Sequence, residues 1–196
     1  MITLKKKFFL YLSSDAVYKD TKNLLNENSE VEYSGSLHGM MHIFRESIVK
    51  NYIDNKRLCI VRPTLIYGPH DPHNGYGPNK FIRNLLNKED IILFGRGEER
   101  RDHIFIDDLS KIIVELIIKK KNEIFNIATG KVVSFFEIDK IIKKTLNSKN
   151  KIIFKKRLGL PHHLGIRRFN VSKIKKKLKI KQFVNLKKYL SNINKI

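Results

Sequence analysis

Short apolar runs alternate with longer amphipathic stretches along most of this chain, and this alternation restricts the possible folds more than any other feature. Residues 8–12 and 58–61 are predicted to be buried strands, and residues 91–94, 104–106 and 124–127 are shorter strand candidates. Stretches with helical spacing of apolar residues separate several of them. Strands that alternate with helices are typical of an α/β fold with a largely parallel sheet.

Local patterns place three helices. Residues 36–52 carry apolar side chains at three- and four-residue steps, which is the spacing of an amphipathic helix. This stripe consists of Leu37, Met40, Met41, Phe44, Ile48 and Tyr52. Residues 108–118 form a second amphipathic pattern. Ser134 and Glu137 have the spacing of a capping box, which predicts a helix from there to about Leu146.

The positive charge of the chain is concentrated at its C-terminal end. Of its 40 Lys and Arg residues, 19 lie within residues 140–196, which contain no Asp or Glu, whereas residues 1–139 hold 21 basic and 19 acidic residues. Nucleic acids favour such surfaces because phosphate contacts release counterions. However, this tail contains no known nucleic-acid motif and keeps apolar spacing from Val171 to Leu190. We predict short basic helices with a solvated lysine face, and no specific nucleic-acid partner.

Length and composition exclude several classes of protein. The 196 residues suffice for one medium domain or slightly more, and the 41% hydrophobic content excludes a wholly disordered chain. The single cysteine, Cys59, excludes an intramolecular disulfide framework and is predicted to be a small buried residue. The apolar run after Lys7 has five residues, fewer than the roughly 7–15 of a signal peptide, and no run approaches the roughly 20 residues of a membrane span. We predict a cytoplasmic protein with no membrane partner.

Three polar segments follow or precede predicted strands. Residues 13–15 come directly after the first strand, at the edge of the sheet where α/β folds place ligands. A Gly-flanked, Arg-containing turn at residues 95–101 has the guanidinium groups that suit phosphate. The alternative for this turn is a solvated loop, with Asp107 or Asp108 as the N-cap of the next helix. The third segment, residues 126–130, is a strand that ends in a Gly turn.

In order and spacing, these segments resemble the extended short-chain dehydrogenase/reductase family, the NAD-dependent nucleotide-sugar epimerases and dehydratases. The segments that carry the resemblance are Leu12-Ser13-Ser14-Asp15-Ala16-Val17-Tyr18, Arg62-Pro63-Thr64-Leu65-Ile66-Tyr67-Gly68-Pro69, Gly95-Arg96-Gly97-Glu98-Glu99-Arg100-Arg101-Asp102, Asp107-Asp108-Leu109 and Asn126-Ile127-Ala128-Thr129-Gly130. The resemblance extends from residue 9 to about residue 190. It implies the C-terminal part of a Rossmann-like parallel sheet plus a smaller mixed α/β substrate domain, with NAD or NADP as cofactor and a nucleotide-diphosphate sugar as substrate.

The resemblance also assigns the catalytic positions. Ser14 takes the place of the family's catalytic Ser or Thr, and Asp15 matches an acid of the dehydratases, whose following Glu is Ala16 here; this difference favours an epimerase or reductase. The catalytic Tyr-x-x-x-Lys pair is replaced, with His38 in the Tyr place and His42 in the Lys place. Histidine can act as a general base near neutral pH, but it lacks the permanent charge of lysine. We expect that the chemistry is lost rather than altered.

Further positions follow from the same resemblance. On the cofactor side lie Ser13, Pro63 and Thr64, with Thr64 in the loop beside the nicotinamide. Substrate contacts are implied for Asn79, Arg101, Asn126 and Arg168, with Arg167 as an alternative to Arg168 for the second phosphate-side arginine.

The two histidines permit a competing interpretation as a metal site. His38 and His42 have the i, i+4 spacing of a helical zinc-binding pair. Further ligands would come from His70, His73, His162 and His163. Gly39 stands where the metalloprotease motif His-Glu-x-x-His has its Glu, and a helical His pair alone is a weak motif. We therefore predict no metal.

No Gly-x-Gly-x-x-Gly or Gly-x-x-Gly-x-x-Gly motif occurs in the sequence, although the family holds the cofactor pyrophosphate with such a turn. By resemblance, residues 1–66 are a remnant of the dinucleotide-binding domain, and residues 67–196 are the substrate-binding region with the basic tail. We expect a truncated protein that does not bind NAD tightly or turn over alone, completed by a separate N-terminal half or a homodimer partner. The alternative is a non-catalytic module for nucleotide-sugar binding or assembly.

Overall fold

The computed structural model describes residues 7–32, 36–71, 75–159 and 161–192, and within them it has strands alternating with helices. The strands are β1 (Phe9–Leu12), β2 (Leu58–Pro63), β3 (Leu65–Tyr67), β4 (Ile91–Phe94), β5 (Arg100–Phe105), β6 (Ile124–Ile127), β7 (Val132–Ser134), β8 (Ile152–Lys155) and β9 (Ile166–Arg167). The helices are α1 (Leu37–Tyr52), α2 (Pro78–Leu86), α3 (Ile106–Ile118), α4 (Phe135–Leu146), α5 (Ser172–Leu178) and α6 (Leu186–Ser191).

The strands form one parallel sheet, one mixed sheet and a parallel pair. The parallel sheet has the order β1-β2-β6, with Leu12 opposite Val61 and Val61 opposite Phe125. In the mixed sheet, β5 pairs in parallel with β3 and β9 and antiparallel with β7. β4 pairs in parallel with β8. This arrangement confirms the predicted α/β class.

Most predicted elements are present, with shifted ends. β4 and β6 coincide with the predicted runs, and the capping box of α4 is formed, with Ser134 Oγ accepting the Glu137 N–H at 3.1 Å. The predicted N-cap of α3 was wrong. Phe105 occupies the cap, and Asp107 and Asp108 lie in the first turn, where their negative charge is favourable beside the positive end of the helix dipole. The tail forms the short helices α5 and α6, as expected.

Two apolar cores organise the chain. The first core packs α1, α3 and α5 around the parallel sheet, and it buries Cys59 completely. The second core joins α2, α4 and α6 to β4. The predicted division after residue 66 falls within β3, and residues 104–128 and 169–178 return to the first core. The predicted division therefore does not separate the residues of the two cores. It stays a prediction about the origin of the two parts of the chain.

Two surfaces of the first core are open. β1 was predicted to be buried, but it is only half-buried, because within the described residues it has a strand neighbour on one side alone. The outer face of α1 is apolar and exposed, with Ile48 56% and Tyr52 84% accessible, since Gly39, Ile43 and Glu46 form its buried face. In the described part of the chain, no helix combines the length and apolar character needed to cross a bilayer.

Candidate functional site

A cavity of about 630 Å³ opens where β1 and β2 end and α2 begins. Such a position, at the carboxyl ends of parallel strands, is where open α/β sheets bind ligands. All the predicted catalytic and cofactor-side residues line it, together with one predicted substrate residue, Asn79. The full set of predicted residues in its wall is Ser13, Ser14, Asp15, His38, His42, Pro63, Thr64 and Asn79. The fold thus brings together side chains from four separate stretches of sequence.

A close approach between α1 and the loop after β1 places the histidines beside Ser14. A Cβ atom at Gly39 would clash with the backbone carbonyl of Ala16, so only glycine permits this contact. Ser36 caps the start of α1 by accepting the Gly39 N–H at 3.0 Å. Ser14 in turn caps the short 3₁₀ helix Asp15–Val17, because its Oγ accepts the Ala16 N–H at 3.1 Å. The Ser14 hydroxyl proton remains available to a ligand in the cavity.

The two histidines form a pair with a third partner. Their rings meet edge to face with centroids 4.6 Å apart, and Nδ1 of His42 lies 2.8 Å from the hydroxyl of Tyr11. Burial lowers the pKa of His42, and the positive charges of His38 and Arg45 lower it further. His42 is therefore mainly neutral at neutral pH, whereas the lysine expected at its position is a cation.

The polar atoms of the predicted cofactor-side residues already have partners within the protein. The Ser13 hydroxyl donates to Glu46 Oε1 at 2.6 Å. The Thr64 hydroxyl donates to the backbone carbonyl of Asp102 at 3.1 Å. Both residues line the cavity, so their contribution to it is mainly shape, and Pro63 adds an apolar surface beside them.

The predicted substrate residues are divided between the cavity and its surroundings. Asn79, at the start of α2, accepts the Gly68 N–H at 3.1 Å and so fixes the loop after β3. Arg168 is exposed, and Asn126 is completely buried, where its Oδ1 accepts the Tyr18 hydroxyl at 2.6 Å. Neither lies in the cavity wall.

Arg101 is also outside the cavity wall. It is 5% exposed, and its guanidinium donates to Glu99 Oε2 and to the His162 carbonyl, both at 2.7 Å. The alternative arginine, Arg167, is likewise buried and donates through Nε to Asp15 Oδ2 at 3.1 Å. Both guanidinium groups are therefore paired with carboxylates of the protein.

A buried polar network adjoins the cavity wall. The sequence alone did not predict it. Arg62 donates to Glu46 Oε1 at 2.8 Å through Nε and to Oε2 at 2.6 Å through Nη2, and both side chains are under 5% exposed. Arg62 also donates to the Tyr18 hydroxyl at 2.9 Å, and this hydroxyl reaches Asn126. The apolar stripe of α1 gave no hint of this network, because Glu46 lies with Ile43 on a different face of the helix, and that face is the buried one.

The described histidines of the competing metal interpretation do not form one set of metal ligands. His38, His42 and His70 line the same cavity, but His163 lies elsewhere, with Nδ1 2.5 Å from Asp20 Oδ1. Across the described ranges, no group of three or more His, Cys, Asp or Glu side chains is arranged to hold a metal ion. His73 lies outside the described residues.

Comparison with known proteins identifies the family of this chain. Residues 1–128 match the NAD dependent epimerase/dehydratase family. A putative UDP-glucose 4-epimerase of Methanocaldococcus jannaschii is 31% identical over 149 residues, which are 74% of this chain and 48% of that protein. A dTDP-D-glucose 4,6-dehydratase of Dictyostelium discoideum is 29% identical over 158 residues, 70% of this chain and 35% of that protein. The chain thus spans about half or less of the curated relatives it matches.

Solved structures share its fold. The UDP-glucuronic acid 4-epimerase of Bacillus cereus, in complex with UDP-glucuronic acid and NAD, superposes with a TM-score of 0.79 at 23% identity, over 93% of this chain and 58% of that one. The UDP-glucose 4-epimerase of Thermotoga maritima, with UDP-glucose, gives 0.79 at 22% identity, over 94% of this chain and 61% of that one. These similarities confirm the predicted fold class, a Rossmann-like parallel sheet with a smaller mixed α/β part.

Proposed function

Because this chain belongs to the NAD-dependent epimerase/dehydratase family, we propose that its cavity binds a nucleotide-diphosphate sugar and that the chain does not convert this ligand by itself. The observation that carries the proposal is the convergence of Ser14, His38, His42 and Asn79 on one cavity of about 630 Å³. This volume is within the roughly 300–1,000 Å³ of small-molecule sites. Solved relatives bind ligands of this class, namely UDP-glucose and UDP-glucuronic acid.

In this proposal, different side chains of the cavity bind the ligand and transfer protons. Ser14 donates its hydroxyl proton to a sugar oxygen, because its lone pair already accepts the Ala16 N–H. His38, at the Tyr place, is exposed at the cavity and is the remaining candidate base. His42, which is neutral and bonded to Tyr11, gives no positive charge with which to activate a partner. This loss of charge supports binding without turnover.

The residues present fit only one end of a dinucleotide cofactor. Leu12, Pro63, Leu65 and Ile66 give the cavity an apolar wall suited to a nicotinamide ring. No Gly-rich turn for the pyrophosphate occurs in the sequence. NAD, when bound, supplies a hydride acceptor and donor in this family of folds. We propose that this chain alone binds NAD or NADP weakly.

Binding of UDP-glucose tests the proposal. UDP-glucose should raise the melting temperature of the chain, because a ligand that binds only the folded state stabilises it. Asn79→Ala is expected to lower the affinity about tenfold or more, because it removes a cavity side chain that also orders the loop at Gly68. Calorimetric titration measures the affinity.

Asn84→Ala is the matched control for this experiment. Asn84 lies on the same helix, outside the cavity wall, and it also makes a side-chain hydrogen bond to backbone, at Asp90. Its affinity should stay within about twofold of the unaltered chain. The proposal fails when millimolar UDP-glucose produces no stabilisation, or when both variants lose affinity equally.

Two open surfaces support a protein partner, either a separate N-terminal half or a second copy. Among the residues that the structure describes, β1 has no strand partner on one edge, and this edge offers backbone groups to another strand. The exposed apolar face of α1 offers a helix-packing surface. We propose that residues 1–66 are the remnant of a dinucleotide-binding domain completed at these surfaces, and that residues 67–196 form the substrate-binding region. A cytoplasmic location also remains our proposal.

Self-association is expected through the face of α1. Met41→Lys with Ile48→Lys places two charges on that face, so the double variant should sediment as a monomer at concentrations where the unaltered chain forms dimers. Val114→Lys with Ile118→Lys, on the exposed face of α3, adds the same charge elsewhere and should leave the dimer intact. Sedimentation velocity measures the three proteins. A monomer at every concentration contradicts the homodimer and leaves the separate half as the partner.

A further inference from the structure

A second cavity, of about 310 Å³, lies beside the candidate site and shares part of its wall. Tyr67, Pro78 and His103 line both cavities. The rest of its lining comes from the turn before β7, β7 itself, α4, α5, and the segment that leads into and begins α6, and none of these residues lines the first cavity. Its volume is at the lower end of the range for small-molecule sites.

The lining of the second cavity combines an apolar surface with an excess of positive charge. The apolar part includes Val133, Ile138, Ile141, Phe183, Val184 and Leu186. Four lysines also line the cavity, Lys131, Lys175, Lys181 and Lys187, and no Asp or Glu is among the lining residues. In the described part of the chain, none of these ammonium groups forms an ion pair, whereas the lysines at 173 and 177 both pair with Glu123. A concave surface with charge of one sign concentrates counter-ions.

Lys175 joins the two parts of the lining. Its Nζ lies 5.5 Å from the centroid of the Phe183 ring, in a cation–π contact. A ligand that packs against this ring would therefore place an attached anionic group within reach of an ammonium.

His103 supplies an unsatisfied polar group in the shared wall. It is 9% exposed, and neither ring nitrogen has a hydrogen-bond partner among the described residues. Burial lowers its pKa to about 4, so at neutral pH the ring has one N–H donor and one acceptor nitrogen. Buried polar groups are normally hydrogen-bonded, and an exception calls for a partner.

We propose that the second cavity binds a small organic anion, with a phosphate or carboxylate group on an aromatic or short apolar body. The body packs against Phe183 and its apolar neighbours, the anionic group lies at the lysines, and the N–H of His103 donates to an oxygen of the ligand. This proposal does not depend on nucleotide-sugar binding, because only three of its lining residues belong to the first cavity.

Titration with phenyl phosphate, followed by NMR of the labelled histidine rings, tests the proposal. The ring signals of His103 should shift in a saturable way, with smaller shifts at His38 and His42. Lys175→Gln with Lys187→Gln should weaken binding at least tenfold. The matched control is Lys176→Gln with Lys188→Gln, which removes the same charge one residue away, outside the lining, and should change the affinity less than twofold.

Three simpler ligands separate the contributions to binding. Inorganic phosphate and benzyl alcohol should each bind at least tenfold more weakly than phenyl phosphate, because each lacks one half of the proposed ligand. Benzoate should also bind, and its affinity relative to phenyl phosphate identifies the preferred anionic group. The proposal is wrong when phenyl phosphate gives no saturable shift, when the shifts centre on His38 and His42, when the two lysine pairs weaken binding equally, or when inorganic phosphate binds as tightly.

Discussion

His38→Tyr with His42→Lys should raise the turnover of UDP-glucose by about 10²-fold or more once the chain is combined with a Gly-rich cofactor-binding segment from a family relative. Positioned general acid–base groups contribute typically 10²- to 10⁴-fold to a rate. The unaltered chain lacks a cation at position 42, since burial and neighbouring positive charges keep His42 neutral. The substitution restores the charged partner that a phenolate base requires. Formation of UDP-galactose, followed by NMR, measures the rate.

The same mixture separates the two functional hypotheses. NAD should bind to the mixture much more tightly than to either polypeptide alone, because each part supplies one end of the cofactor site. His162→Tyr, a substitution of an exposed histidine outside the cavity wall, should leave the rate unchanged. A fall in turnover with the restored pair means that the two histidines are themselves used. Failure of the mixture to bind NAD favours the non-catalytic binding or assembly module.

Glu46→Ala should destabilise the fold by about 3–5 kcal/mol, the cost of leaving one member of a buried ion pair without its partner. Arg62 is 4% exposed and directs two hydrogen bonds at this carboxylate. For a chain of this size, such a loss lowers the melting temperature by about 10 °C. Urea and thermal unfolding, followed by circular dichroism, measure the change.

Two further variants show whether the loss comes from the unpaired charge. Glu46→Met with Arg62→Met should recover most of the stability, since apolar replacement of a whole buried pair is often neutral. Glu115→Ala removes the surface partner of Lys119, four residues further along the chain, and it should cost less than about 1 kcal/mol. Equal losses from Glu46→Ala and Glu115→Ala would contradict the importance of the buried network.

The buried pair of Glu46 and Arg62 also predicts part of the loss of folding stability at low pH. Burial alone would raise the pKa of Glu46, but the hydrogen bonds and charge of Arg62, together with Ser13 and Lys50, lower it overall. A carboxyl group with a lowered pKa stabilises the fold fully above its unfolded pKa, and this contribution is lost as the pH falls through the folded value. The double methionine variant should therefore lose less stability than the unaltered chain below about pH 4.5.

Local patterns predicted the elements well, and long-range pairing decided most of what they missed. The capping box from Ser134 to Glu137 spans only four residues, and it forms as expected. The burial of β1 depends on a neighbouring strand, which no local pattern reveals. The same limit applies to Asn126, whose partner Tyr18 lies 108 positions earlier in the chain.

The candidate site was predictable to the extent that the family pattern applies. It located the cavity residues Ser14, His38 and Thr64, because strand ends and the start of α1 converge in this fold. The partners of Arg101 did not follow from the pattern. Glu99 lies two residues before Arg101, and side chains at this spacing share one face of an extended chain. The ion pair between Glu99 and Arg101 is therefore the contact that local spacing could have predicted.

The first core contains residues from near both ends of the chain, including Val17 and Leu178, and Arg167 bonds back to Asp15. During synthesis this core cannot close until the polypeptide has been made through Leu178. At roughly 5–20 residues per second, the interval from Val17 to Leu178 is about 10–30 s. For that time the apolar side chains that β1 and the segment after it place in this core lack the cover that α5 later provides.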